Sequence, residues 1–114
     1  MIAVIFEVRP HPDRIEEYLA RAAELRPIVE ALDGFVSVER FRSITDPGKI
    51  LSVSFFRDEA ALDEWRRTAA HREAQAAGRG GIFEGYRLRI AEVIRDYGMD
   101  DRAQAPRDSV AAHG

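Results

Sequence analysis

The sequence predicts an α+β fold of the ferredoxin-like type: strand, helix, strand, strand, helix, strand, with one four-stranded antiparallel sheet and both helices on a single face. Three observations lead there. Apolar residues alternate with a period of two in four segments and recur at helical spacing in two others. Turn signals, Asp33-Gly34 and Asp46-Pro47-Gly48, separate the segments. A right-handed split βαβ connection then folds elements in this order into one sheet. At 114 residues the chain has room for one such domain and one core.

The first strand runs from Ile2 to Arg9, with Ile2, Val4, Phe6 and Val8 on one side and Ala3, Ile5, Glu7 and Arg9 on the other. Asp13 is positioned as an N-cap, and Glu16 three residues on completes a capping-box pattern. Ile15, Tyr18, Leu19, Ala22, Leu25, Val29 and Leu32 then follow helical spacing until Asp33-Gly34, with a kink expected at Pro27. Phe35 to Ser43 and Ile50 to Arg57 form a hairpin across Asp46-Pro47-Gly48. Asp58 caps a second helix, read as one element through DEWRRTAAHREAQAAG, with Ala61, Leu62, Trp65 and Ala69 on its apolar side and glycines 78, 80 and 81 at its end. A last strand from Phe83 to about Tyr97 closes the domain, residues 1–97. Residues 98–114 are polar, without apolar periodicity, and are expected to form a flexible tail that takes His113 out of consideration.

Helices on one face leave the other sheet face uncovered. Each strand carries hydrophobic residues on both sides, so that face is too apolar for open water and implies a homodimer in which two sheets meet.

Composition narrows the function. The absence of cysteine removes disulfides, thiolate metal sites and thiol nucleophiles. A net charge of -3, from 17 basic and 20 acidic residues spread along the chain, offers no basic run for nucleic acid. Lys49, the single lysine, sits in a turn and is a poor Schiff-base candidate. No apolar run approaches the ~20 residues that cross a bilayer, and MIAVIFEVRP reads as a strand, not a signal peptide, so a cytoplasmic location is expected. Metal-ligand spacings of the HxxE or HxxxH kind, phosphate-cradling loops and nucleophile elbows are not found; GRGG lacks the following helix that such a loop needs.

The segments IAVIFEV, LDGFVSVERF, FFRDEAALDEW, AAHREAQ and YRLRIAEV, in this βαββαβ order, resemble the antibiotic biosynthesis monooxygenase domain of the dimeric α+β barrel superfamily over residues 1 to about 97. The resemblance implies a pocket between helices and sheet. In the quinone-forming branch it implies oxygenation without metal, flavin or haem, the deprotonated phenolic substrate itself supplying electrons to O₂. Trp65 matches a tryptophan those enzymes keep in the second helix, and His71 falls near a position where they place a polar aromatic side chain. The haem-degrading branch is similar in fold and uses a first-strand Asn, the same Trp and an axial His ten positions later. Glu7 and Gln75 occupy the first and last of those positions here and depart from it.

The candidates follow from these readings. His71 and Glu7 are the groups able to handle a proton, His71 for its suitable unperturbed pKa. Trp65 and Phe83 are candidate walls for a small aromatic substrate, and Arg79, beside the glycines, a clamp for an anionic group. No cofactor is expected. One geometric obstacle attaches to His71: six residues from Trp65 on an unbroken helix turns it about 240° away, so a break near Thr68-Ala69-Ala70 is required to bring it inward. The alternative, from a different class, is a dimeric small-ligand binding or stress-associated module that kept the fold without the chemistry.

Overall fold

A computed structural model describes residues 1–114. The strands are β1 (Ile2–Pro10), β2 (Phe35–Arg42), β3 (Ile50–Phe56) and β4 (Phe83–Glu92), and the helices α1 (Ile15–Glu30), α2 (Glu59–Arg66), α3 (Ala69–Ala77) and α4 (Arg107–His113). The strands form one antiparallel sheet in the order β2-β3-β1-β4, the ferredoxin-like arrangement.

Register decides which residues share a face. Val4 is opposite Ser54 on β3 and Ile90 on β4, and Phe6 is opposite Ser52 and Leu88, so even-numbered residues of β1, β3 and β4 lie on the helix-covered side. On α1, buried Tyr18, Ala22 and Val29, with Leu25 between them, make one stripe that lies against this face. Two apolar clusters result. Ile2, Val29, Phe56, Ala61 and Leu62 pack at one end, and Val8, Tyr18, Ile50 and Ile82 at the other.

The odd-numbered face carries no helix. Ala3 and Ile5 on β1, Leu51, Val53 and Phe55 on β3, and Phe41 on β2 form an apolar strip there. Only 14 of 114 residues are buried, and the shortest dimension of the molecule is 20 Å, the thickness of one sheet and one helical layer.

Several local expectations change. Asp13 makes no capping bond; it lies in a 3₁₀ turn, Pro12–Arg14, and α1 begins after it. The helix continues through Pro27, which is exposed, so the carbonyl that loses its donor faces solvent. Strand β4 ends at Glu92 instead of Tyr97 because β1 is its only neighbour and the Ile2 to Glu92 pair is the last available. In the segment after it, α4 forms where no regular structure was expected. That segment is gathered around Arg102, which donates to the carbonyls of Gly114 (2.7 Å) and Gly98 (3.2 Å) and to Ser109 Oγ, and lies over the Tyr97 ring. With the Asp96 N–H donating to Gln104 Oε1 at 2.8 Å, polar contacts organise this segment, and hydrophobic periodicity does not register them.

Candidate active site between the helices and the sheet

The second helix of the sequence reading is two helices. Asp58 caps α2, its Oδ1 accepting from the Ala61 N–H at 2.9 Å. After Arg67 the chain leaves helical geometry, and Thr68, in an extended conformation (ψ 145°), caps the start of α3. Its hydroxyl serves both sides of the break: it donates to the Trp65 carbonyl at 2.8 Å and accepts from the His71 N–H at 3.1 Å. Threonine competes well for backbone groups at a helix end, which is the local reason the chain breaks here.

The break cancels the angular offset between Trp65 and His71. Their rings meet edge to face, centroids 5.1 Å apart at 65°. His71 Nδ1 is buried and has no hydrogen-bond partner. Burial holds the ring pKa below its ordinary 6.5; the Arg66 carbonyl opposes this in part, and the charges of Arg66 and Arg72 reinforce it. At neutral pH His71 is therefore an uncharged imidazole. Its other side borders a polar surface cleft between Arg67, Arg72 and Asp63.

His71 and Trp65 line a cavity of about 390 Å³ bounded by α1, α2, α3 and the even-numbered sheet face, and open toward solvent along β4, where Tyr86, Leu88 and Ile90 are exposed. That volume suits a small organic ligand. The walls are mainly apolar, among them Val4, Leu25, Leu62 and Leu88, with Ser52 and Ser54 on the sheet and Gln75 on α3 as polar points.

At the far end Phe83 lies edge-on to Phe6 (5.8 Å), Tyr18 (5.6 Å) and Tyr86 (6.1 Å). The approach depends on Gly78, where a Cβ would collide with the Phe83 ring. The turn that carries Arg79, Gly78–Ile82, closes through Gly81 at φ 131°, a backbone geometry that side chains disfavour. Arg79 lines the cavity and donates to the Tyr86 hydroxyl at 2.8 Å.

Four of the five sequence candidates thus line one cavity: His71, Trp65, Phe83 and Arg79. Glu7 does not. It points to the open sheet face, as β1 alternation requires, with Lys49 Nζ at 3.6 Å and Arg89 Nη1 at 3.4 Å. Its proton-handling role is withdrawn on that geometry. Arg40, Tyr18, Ser52 and Ser54 join the walls without having been singled out. For the serines the signal was present, two polar residues at a spacing of two in ILSVSFF on the side that faces the core.

No group of three or more His, Cys, Asp or Glu side chains is arranged to hold a metal ion. Gln75, at the axial position of the haem-degrading branch, and Glu7, on the wrong face, supply neither of that branch's polar groups. No helix is long and apolar enough to cross a membrane.

Comparison with known proteins agrees with this architecture. The jasmonate monooxygenase ABM of Pyricularia oryzae is 50% identical over 93 residues, 82% of this chain and 43% of that protein. YqjZ of Bacillus subtilis is 34% identical over 62 residues, 54% of this chain and 53% of that one. The matched region thus spans about half the length of these curated relatives. Among solved structures, Rv0793 from Mycobacterium tuberculosis superposes with a TM-score of 0.77 over 85% of this chain and 98% of its own, at 21% identity, which is a likeness of fold. The sequence profile described as antibiotic biosynthesis monooxygenase matches residues 1–77, more than half of the chain, and the chain belongs to that family.

Proposed function

We propose that the protein is a monooxygenase that works without a cofactor on a phenolic or quinol-like small molecule, acting as a cytoplasmic homodimer. The observation that carries this is the neutral His71, its unpartnered Nδ1 buried beside Trp65 in an apolar cavity. A buried base with a depressed pKa stays deprotonated at neutral pH and can take a phenolic proton. The resulting phenolate is electron-rich enough to reduce O₂, and the apolar walls around it limit the access of water to its oxygenated intermediate. In the overall balance, phenol and O₂ give a quinone and water. One oxygen atom is bonded to the ring, and the other leaves with the phenolic proton and the displaced ring hydrogen.

Each wall residue has a place in this scheme. Trp65 lies edge to face with the imidazole and so helps to orient it. Phe83 offers an aromatic face to the substrate, and Arg79 a charge on the wall beside it. The polar cleft behind His71 offers the abstracted proton a route to solvent. The name of the Pyricularia relative supports oxygenation as the reaction class. The uncovered apolar strip Ile5, Leu51, Val53 and Phe55 supports the dimer.

The test is oxygen uptake with a panel of small phenols and quinols. Wild-type protein is expected to show kcat/KM falling as pH drops through the folded pKa of His71, a midpoint below 6.5. His71→Phe is expected to lose roughly 10²- to 10⁴-fold, the usual scale of general base catalysis. Undiminished turnover in His71→Phe would remove His71 from the chemistry. No uptake with any member of the panel would favour the binding-module reading.

A further inference from the structure

Charge on the cavity wall is one-sided. The lining includes five arginines, Arg21, Arg26, Arg40, Arg66 and Arg79, and no aspartate or glutamate, although acidic residues outnumber basic ones 20 to 17 in the whole chain. Three of the five are matched by carboxylates on their own helices: Arg21 by Glu17 (3.8 Å), Arg26 by Glu30 (2.7 Å) and Arg66 by Asp63 (3.8 Å).

The other two have no acid. Arg40 Nε is 3.4 Å from the Tyr18 hydroxyl, with its guanidinium 6.0 Å from that ring, and Arg79 Nη1 donates to the Tyr86 hydroxyl. A hydroxyl acceptor orients a guanidinium without neutralising it and leaves most of its five N–H donors open. Tyr18 and Tyr86 both flank Phe83, so the two uncompensated charges belong to the same end of the cavity. His71 belongs to the opposite end. Arg79 follows it by eight residues along α3 and the turn after it, about 12 Å at the helical rise.

We propose that the cavity takes an apolar carboxylic acid, its carboxylate held by Arg40 and Arg79 at the Phe83 end and its reacting group lying at the Trp65–His71 end. The assignment of the reacting end rests on the proposed oxygenase function; the carboxylate end rests on the arginines alone. Two oriented forks suit a carboxylate, which accepts paired N–H bonds, and the apolar wall between them and His71 suits the body of the molecule.

Calorimetric titration of the full chain with hydroxyphenylbutyrate and with its primary amide tests the proposal, since the two differ only in the charged end. The acid is expected to bind about tenfold or more tightly, the scale of a charge-assisted hydrogen bond lost. Arg40→Gln with Arg79→Gln should erase that difference, and Arg40→Lys with Arg79→Lys should keep part of it. Equal binding of acid and amide by the wild type overturns the proposal whether or not a variant folds, and so does an acid preference that survives the paired glutamines. Oxygen uptake is read separately. Acid preference without uptake leaves this site standing and refutes the oxygenase; uptake without acid preference does the reverse.

Discussion

Replacing Thr68 by Ala tests the feature on which the candidate site depends. The hydroxyl makes two bonds, to the Trp65 carbonyl (2.8 Å) and from the His71 N–H (3.1 Å), and both are lost. Loss of an N-cap costs about 1 kcal/mol and the second bond a similar or smaller amount, so destabilisation of about 1–2 kcal/mol is expected. For a domain of this size that lowers Tm by roughly 5–10 °C. The consequence for His71 is larger than the energy suggests. With the cap gone, residues near 68 are free to continue the helix, which turns His71 about 240° from Trp65 and returns it to water. Its pKa should then rise toward 6.5.

The assay is an NMR titration of the His71 ring protons in wild type, Thr68→Ala and Thr68→Ser, with thermal melts across the same pH range. The sign for stability follows from the proton count. In the wild type the folded pKa lies below the unfolded 6.5, so between those two values the unfolded chain binds more protons. Acidification through that window destabilises the fold, and the slope ends once both states are protonated. Thr68→Ala should flatten this dependence, and Thr68→Ser should keep it. A Thr68→Ala protein whose His71 retains the depressed pKa and the ring-current shift from Trp65 would refute the argument that the cap positions the histidine.

The remaining predictions concern the far wall and the open face. Gly78→Ala should push the Phe83 ring off its position, weakening binding of aromatic ligands in calorimetry with a modest fall in Tm; unchanged affinity would show that Phe83 is not a wall of the occupied site. Val53→Glu places a charge in the middle of the uncovered apolar strip and should convert a dimer to monomers in sedimentation velocity, with the secondary structure retained; a dimer that persists would place the contact elsewhere.

How far the sequence could be read varied with the range of the interaction concerned. Trp65 and Phe83, expected as walls from their type and their place in periodic segments, do line the cavity, a statement about position and not yet about substrate. Glu7 failed as a candidate because one residue of register moves a side chain to the other face, and only strand pairing shows which face holds the helices. Arg40 and Arg79 look like any other arginines in a chain that has sixteen. Their meaning lies in the absence of a nearby acid, a relation among residues on different elements.

By itself, the sequence determined the element order, the hairpin, the family resemblance and the one-sided burial that leaves a sheet face uncovered, because alternation, helical spacing and turn residues act over a few neighbours. Tertiary structure alone decided that α2 and α3 are separate, that His71 lies against Trp65 with its Nδ1 buried, and that two uncompensated arginines share the opposite end of the cavity. The physical reason is that Thr68 could as well have stood inside one continuous helix. The Thr68 hydroxyl favours the broken form, and where the break then sets the Trp65 and His71 rings depends on α2 meeting β3 and α3 meeting α1, elements far apart in the chain.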